Sequence, residues 1–280
     1  MATTTSTDDL PDGEALPGEQ LNVDKMPGHW LLARMGKRVL RPGGVELTQQ
    51  MLSGLAIAGD DIVVELAPGL GATARLTLAM RPKKYIGIER DPKAAAHVRK
   101  LIDTSRDEII GGNASDSGLT DQSCDVVYGE AMLTMQLPSQ RAKIVGEAFR
   151  VLRPGGQYAI HELGLKPDDL DESTKSKILN EVSAAIKVGA RPLTVSEWCR
   201  VLEGEGFAVA PGSIVTAPMH LLEPRRVFRD EGFFRTLRIA TNVLRTPAAR
   251  NRILAMRRVF RRYGDHLCAI SMIGRKPTST

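Results

Sequence analysis

One stretch constrains this chain more than any other. Ile62-Val63-Val64-Glu65-Leu66 runs directly into Ala67-Pro68-Gly69-Leu70-Gly71. The first five residues are apolar everywhere except Glu65, the pattern of a parallel strand buried on both faces. Small residues at 67, 69 and 71 let the backbone come close to a ligand. The helix expected next, to about Met80, points its unsatisfied N–H groups at an anionic moiety. Open parallel sheets bind ligands at the carboxyl ends of their strands, so this loop is the first candidate site.

The alternation continues. Tyr85 to Ile88 reads as a second strand. Asp91-Pro92 opens a helix, with Asp suited to the N-cap and Pro to the first helical position. Ile109-Ile110 and Asp125 to Tyr128 read as strands three and four. Ser139 to Leu152 reads as a helix with Val145, Phe149 and Leu152 on one stripe. Arg153-Pro154-Gly155-Gly156 stops it, and Gln157 to Leu163 is strand five. Short helices over His29–Leu40 and Val45–Leu55 precede strand one. Helices over Leu170–Val188 and Val195–Glu205 and strands over Ala208–Ala217 and Leu267–Gly274 follow strand five. Such β-α order implies a doubly wound α/β sheet with right-handed crossovers.

Charge is unevenly distributed over the 280 residues, whose net charge is +5. Residues 1–24 hold six acids and no base, lack apolar periodicity and are expected to be a disordered tail. Residues 225–262 hold twelve arginines against Asp230 and Glu231. Hydrophobic residues at 42% and charged residues at 25% exclude collagen-like and wholly disordered classes. No apolar run is long enough to span a membrane, and the N-terminus lacks a secretory signal pattern. Cys124, Cys199 and Cys268 are too scattered for a zinc or disulfide pattern, so no metal is expected and a cytoplasmic setting is.

The loop with Ala74 also reads G-x-G-x-x-A, which admits a nicotinamide dinucleotide. Glu89, ending strand two, suits a pair of ribose hydroxyls in either cofactor. Gly112-Asn113-Ala114 follows strand three, where Asn113 can pair with an adenine amino group. With Asp125-Val126-Val127 and Leu152-Arg153-Pro154-Gly155-Gly156, these motifs stand in order over roughly Asp60 to Leu163. In them the sequence resembles the class I S-adenosylmethionine-dependent methyltransferases. The Leu-Arg-Pro-Gly-Gly turn is the most specific element, since dehydrogenases have no counterpart.

The resemblance implies a seven-stranded, mostly parallel Rossmann-like sheet with an antiparallel last strand, over residues 25–280. Helical cap segments are expected near 25–55, 165–190 and 218–264. It implies S-adenosyl-L-methionine as cofactor. Glu65 would orient the loop and the cofactor's amino end; Ala67, Gly69 and Gly71 would pass beneath it. Glu89 would take the ribose, Arg90 would border the adenine, Asn113 and Ala114 would read its edge, and Gly129 and Glu130 would face the sulfonium. Ala67 replaces the usual first glycine, which is harmless if φ stays negative, and Asn113 replaces the usual acid.

Acid–base candidates are His161 and Glu162 at the end of strand five, against the reading of a packed strand-end histidine. His29, His220 and Glu223 are further candidates from covering segments, and Lys37, Arg38 and Arg41 could bind a carboxylate. Position 128–131 reads Tyr-Gly-Glu-Ala, without the Pro-Pro run of base amino-methylation. The expected activity is methyl transfer to an O, N or S nucleophile of a small, partly apolar molecule. An RNA-binding methyltransferase-like protein is the alternative, and an NAD(P)-dependent oxidoreductase a weaker one. In the basic segment, Phe233, Leu237, Ala240 and Leu244, then Ala249, Ile253, Met256 and Phe260, recur at helical spacing. That stripe is expected to pack inward, line the pocket or meet a second copy in a homodimer. Nucleic acid is disfavoured because few aromatics accompany the arginines.

Overall fold

The computed structural model describes residues 16–18 and 20–278. Of the expected acidic tail, residues 1–15 and 19 lie outside the described residues. Residues 20–24 form turns against the cap, where Arg252 donates to the Val23 carbonyl.

One sheet organises the chain. Its strands are β1 (Ile62–Leu66), β2 (Lys84–Glu89), β3 (Glu108–Gly111), β4 (Cys124–Glu130), β5 (Leu152–Leu165), β6 (Leu193–Thr194), β7 (Ala208–Pro218) and β8 (Leu267–Arg275). The order is β3-β2-β1-β4-β5-β8-β7, with β6 paired to the end of β5. β1 pairs in parallel with β2 and β4, and β8 runs antiparallel between β5 and β7. The seven-stranded path is the expected one. β6 is an eighth strand of two residues, too short to show an alternation. Pairing between β4 and β5 jumps from Cys124–Leu152 to Val126–Gln157, so Arg153-Pro154-Gly155-Gly156 bulges from the ladder.

Helices cover both faces. α1 (Gly28–Arg34) and α2 (Gly44–Leu55) come first, then α3 (Ala72–Ala79), α4 (Pro92–Arg99) and α5 (Pro138–Val151). α6 (Glu172–Ile186), α7 (Val195–Glu203), α8 (Pro224–Arg245) and α9 (Pro247–Arg262) follow. Asp91 caps α4 by accepting from the N–H groups of Lys93 and Ala94 at 2.9 and 3.2 Å. Thr194 and Glu197 form a capping box on α7. α1 stops well short of Leu40, because Gly36 adopts a φ of 102° and the chain leaves the helix there.

One core lies between the sheet and α5 and α7, with Val145, Leu152, Trp198 and Leu202 fully buried. α2 covers the opposite face with Met51, Leu52 and Leu55. A separate apolar cluster holds the cap: Leu31 and Leu32 of α1, Ile178 and Val182 of α6, and Met256 and Phe260 of α9.

The two helices of the basic segment divide the expected apolar stripe between them. In α9, Ala249, Met256 and Phe260 are buried as expected. In α8, which begins at Pro224 and breaks at Gly232 (φ 74°), Phe233, Phe234, Leu237 and Leu244 are 61, 83, 57 and 66% exposed. The inner face of α8 is built from other residues. Val243 packs on the cap cluster, and the Asn242 amide donates to the Met35 carbonyl at 3.1 Å.

Two carboxylates ahead of that break fix the cap to the sheet. Glu231 Oε1 accepts from the N–H groups of Arg38 and Val39, both at 2.9 Å, and lies 3.5 Å from the buried Lys37 Nζ. Asp230 accepts from the N–H of Val45 at the start of α2 at 3.2 Å. Burial lowers the Lys37 pKa, against the pull of Glu231 and Asp230. Removing Glu231 leaves one ammonium and two N–H groups without their acceptor. Glu231→Ala is expected to destabilise the chain by about 3 kcal/mol in urea unfolding; a loss below about 1 kcal/mol would contradict this anchoring.

Candidate active site

The loop after β1 takes its shape from three left-handed residues: Ala67 (φ 56°), Gly69 (φ 58°) and Gly71 (φ 74°). The Ala67 N–H donates to the Ile88 carbonyl at 2.8 Å, which ties the loop to the end of β2. Ala67 therefore does not keep the negative φ that makes alanine harmless there. An L-residue in that region costs roughly 1–2 kcal/mol.

Beneath the loop, Glu65 is fully buried between two phenols. Tyr85 and Tyr128 both donate to its Oε2, at 2.6 and 2.8 Å, and the Tyr128 oxygen lies 2.7 Å from Thr77 Oγ1. Burial outweighs both hydrogen bonds and pushes the Glu65 carboxyl up to about 7. Oε1 has no hydrogen bond among the described residues.

A cavity of about 920 Å³ opens where β1, β2 and β4 end. Glu65, Ala67, Gly69, Glu89, Arg90, Asn113, Ala114 and Glu130 all line it, as the sequence anticipates. Gly71 and Gly129 do not. A Cβ on Gly71 would sit 2.5 Å from Leu101, and one on Gly129 would sit 3.0 Å from the Met132 sulfur, so both glycines serve close packing behind the wall. Glu89 accepts from the N–H groups of Gly69 at 3.0 Å and Asp91 at 2.9 Å, joining the loop to the start of α4. Asn113 Oδ1 already accepts from the Ser115 N–H at 3.2 Å, which leaves one lone pair for a base edge.

Glu130 is the most heavily bonded carboxylate of the wall. Thr48 donates to it at 2.5 Å, Thr73 donates to its other oxygen, Arg41 Nε lies at 3.3 Å and His161 Nδ1 at 2.7 Å. Burial opposes its charge, but Arg41, His161 and Thr48 together outweigh burial and hold the carboxyl at about 2. Arg41 also lines the cavity, and its buried Nη2 has no partner among the described residues. An orphaned guanidinium nitrogen beside the small-residue loop fits an amino-acid carboxylate, and Glu65 Oε1 fits the matching ammonium. Thr48 and Thr73 were missed from sequence. Only the place of Thr73, in the first turn after the loop, carried a signal.

His161 and Glu162 are not placed for acid–base work, which corrects the expectation. Both are fully buried and neither lines the cavity. His161 spends Nδ1 on Glu130 and Nε2 on the Pro42 carbonyl. Glu162 accepts from the N–H groups of Met132, Leu133 and Thr134 and from the Thr134 hydroxyl, pinning the turn after β4. Lys37, His220 and Glu223 also lie off this cavity; Arg38 is on it.

The other half of the cavity is apolar. Leu32, Leu163, Val182, Ile186, Met219 and Met256 line it. His29 joins them with its ring 4.7 Å from that of Trp30 and no hydrogen bond among the described residues. Burial lowers its pKa to about 4, so the imidazole is neutral near pH 7 with a lone pair to offer.

Residues 64–160 match a family model described as a methyltransferase domain. An uncharacterised protein of Haemophilus influenzae is 33% identical over 243 residues, covering 85% of this chain and 92% of that one. A probable S-adenosylmethionine-dependent methyltransferase of Mycolicibacterium smegmatis is 32% identical over 155 residues, 54% of this chain and 53% of that one. Among solved structures, the Haemonchus contortus phosphoethanolamine N-methyltransferase 2 in complex with S-adenosyl-L-methionine superposes with a TM-score of 0.65. It does so at 16% identity, over 90% of this chain and 57% of that one, a likeness of fold.

Two measurements probe the loop and the clamp beneath it. Ala67→Gly relieves the left-handed strain and is expected to stabilise the chain by about 1 kcal/mol in urea unfolding; a destabilisation would contradict the strain. The Glu65 carboxyl titrates near 4.5 when unfolded and about 7 when folded. The folded chain thus keeps a proton that the unfolded chain loses, and stability falls as pH rises through that window. Glu65→Gln abolishes this contribution. Its stability relative to the parent is expected to rise from about pH 5 to about pH 8, and a pH-independent difference would contradict the assignment.

Proposed function

The chain belongs to the class I S-adenosylmethionine-dependent methyltransferases, and from that premise we propose that it methylates an O, N or S nucleophile of a small, largely apolar molecule. The observation that carries this reading is the division of one cavity into a polar half at the sheet edge and an apolar half under the cap. The family assignment removes the nicotinamide alternative.

S-adenosyl-L-methionine supplies a methyl group already activated by its sulfonium. The residues of this chain bind, orient and exclude water. In our assignment Arg41 Nη2 and Glu65 Oε1 take the carboxylate and ammonium of the cofactor's amino-acid end. The backbone of Ala67 and Gly69 passes beneath it, and Glu89 takes the ribose hydroxyls. Arg90 borders the adenine, and Asn113 and Ala114 meet its edge. Glu130, held as an anion, aligns Arg41, Thr48 and Thr73. Gly71 and Gly129 keep the wall thin.

On the acceptor side, apolar side chains desolvate the nucleophile, and His29, whose charged form is disfavoured by burial, accepts a hydrogen bond from it and orients it.

Calorimetry and a methyl-transfer screen test this reading. Glu89→Ala is expected to weaken S-adenosylhomocysteine at least about tenfold, or about 1.4 kcal/mol. His29→Ala is expected to leave that affinity within about twofold while lowering turnover about fivefold to tenfold, the loss of one orienting hydrogen bond. Phenols, thiols and amines on apolar frames should be methylated in preference to hydrophilic amines. Unchanged affinity in Glu89→Ala, or turnover confined to hydrophilic acceptors, would contradict it.

A further inference from the structure

α8 carries apolar side chains on two sides among its arginines, and none of its residues is fully buried. Val243 and Asn242 hold it to the cap. Outward it presents Phe233, Phe234, Leu237 and Leu244, all exposed, with Arg238 and Arg245 exposed among them. The aromatic surface continues across the break at Gly232. Phe228 and Phe233 meet edge to face with centroids 6.4 Å apart, and Phe233 and Phe234 at 5.5 Å. A contiguous exposed apolar patch marks an interaction surface.

Beside this surface lies a second cleft of about 740 Å³. Arg225, Arg226, Arg229, Arg257 and Arg261 line it, with Glu223 as the one carboxylate. Glu223 pairs with Arg257 at 2.8 Å and lies 3.8 Å from Arg261, while from outside the lining Asp230 pairs with Arg226 at 3.4 Å and Glu46 receives Arg226 and Arg229. The cleft keeps an excess of positive charge. Met219 and Phe260 belong to its wall and also to that of the apolar half of the main cavity.

We propose that this face of the cap docks on a bilayer surface carrying anionic lipids. The outer side chains of α8 enter the acyl boundary, and the arginines of the cleft meet lipid phosphates. Exposed aromatic and aliphatic residues bounded by arginines are the composition of a helix lying in the interface plane. Charge argues against a second copy of the chain, because in a two-fold contact the exposed Arg225, Arg238 and Arg245 of this face would meet the same arginines of the other copy. Single-stranded nucleic acid is disfavoured because Leu237 and Leu244 offer no stacking surface and the phenylalanine rings stand nearly perpendicular to one another, at 77° and 79°, rather than as parallel platforms. No helix among the described residues is long and apolar enough to cross a membrane, so the contact is peripheral.

Flotation of the full chain with vesicles tests the proposal without turnover, so it stands or falls separately from the choice of methyl acceptor. Partition onto vesicles of phosphatidylcholine mixed with phosphatidylglycerol is expected to exceed partition onto phosphatidylcholine alone by about tenfold or more. The double variant Phe233→Ser/Phe234→Ser should lose about tenfold or more of that partition, with thermal midpoint and S-adenosylhomocysteine affinity unchanged. Arg225→Glu/Arg229→Glu should lose the preference for anionic vesicles. Three results would overturn the proposal. The first is no vesicle binding, or equal binding by the phenylalanine variant. The second is a dimer by light scattering that Phe233→Ser/Phe234→Ser converts to monomer. The third is oligonucleotide binding that the same substitutions abolish while vesicle binding persists.

Discussion

A single carboxylate holds the two halves of this molecule in register. Glu130 ends β4 and is reached by Thr73 from α3, Thr48 from α2, Arg41 from the loop ahead of α2, and His161 from β5. Burying a carboxylate is unfavourable unless cations and hydroxyls surround it, and here four elements converge to do so. Pro42, which accepts from His161, and Arg41 are thereby fixed against the sheet edge. Residues 38–42 connect α1 to α2, and Glu231 holds their start from the cap side. Sheet, cavity wall and the segment leading into α2 meet at this network, and Glu231 ties that segment to α8.

A second constraint is local. Glu65, Tyr85, Tyr128 and Thr77 link β1, β2, β4 and α3 beneath the loop. In the proposed arrangement, the Glu65 proton is coupled to the amino-acid end of the cofactor, a response to pH that does not depend on the acceptor. A cationic ammonium beside Glu65 opposes the burial that raises its carboxyl to about 7.

Much of this was legible in the chain. The buried strand Ile62–Leu66, the small-residue loop and Glu89 stand out because apolar runs and minimal side chains have local causes. The sequence did not separate residues that line the wall from residues that support it. Gly71 and Gly129 have the right type but face Leu101 and Met132. His161 looked available because its partners, Pro42 and Thr48, come from more than a hundred residues earlier. The periodicity of α8 was real, yet it could not say which of two apolar faces turns inward. The twelve arginines of the segment are also less free than composition implies. Arg226 and Arg229 meet Glu46, Arg257 meets Glu223 and Arg262 meets Glu181. Exposed pairs of this kind contribute little stability, but they lower the charge the cap shows to solvent.

In the proposed arrangement one cavity seats the cofactor against the polar wall and turns its reacting end toward the apolar half. A crystal structure with S-adenosylhomocysteine bound tests it most directly. The ribose is expected on Glu89, the amino-acid end on Arg41 and Glu65, and the sulfur facing the space bounded by His29, Met219 and Met256. A sulfur directed away from that space, or a ligand seated off Glu89 and Arg41, would contradict it.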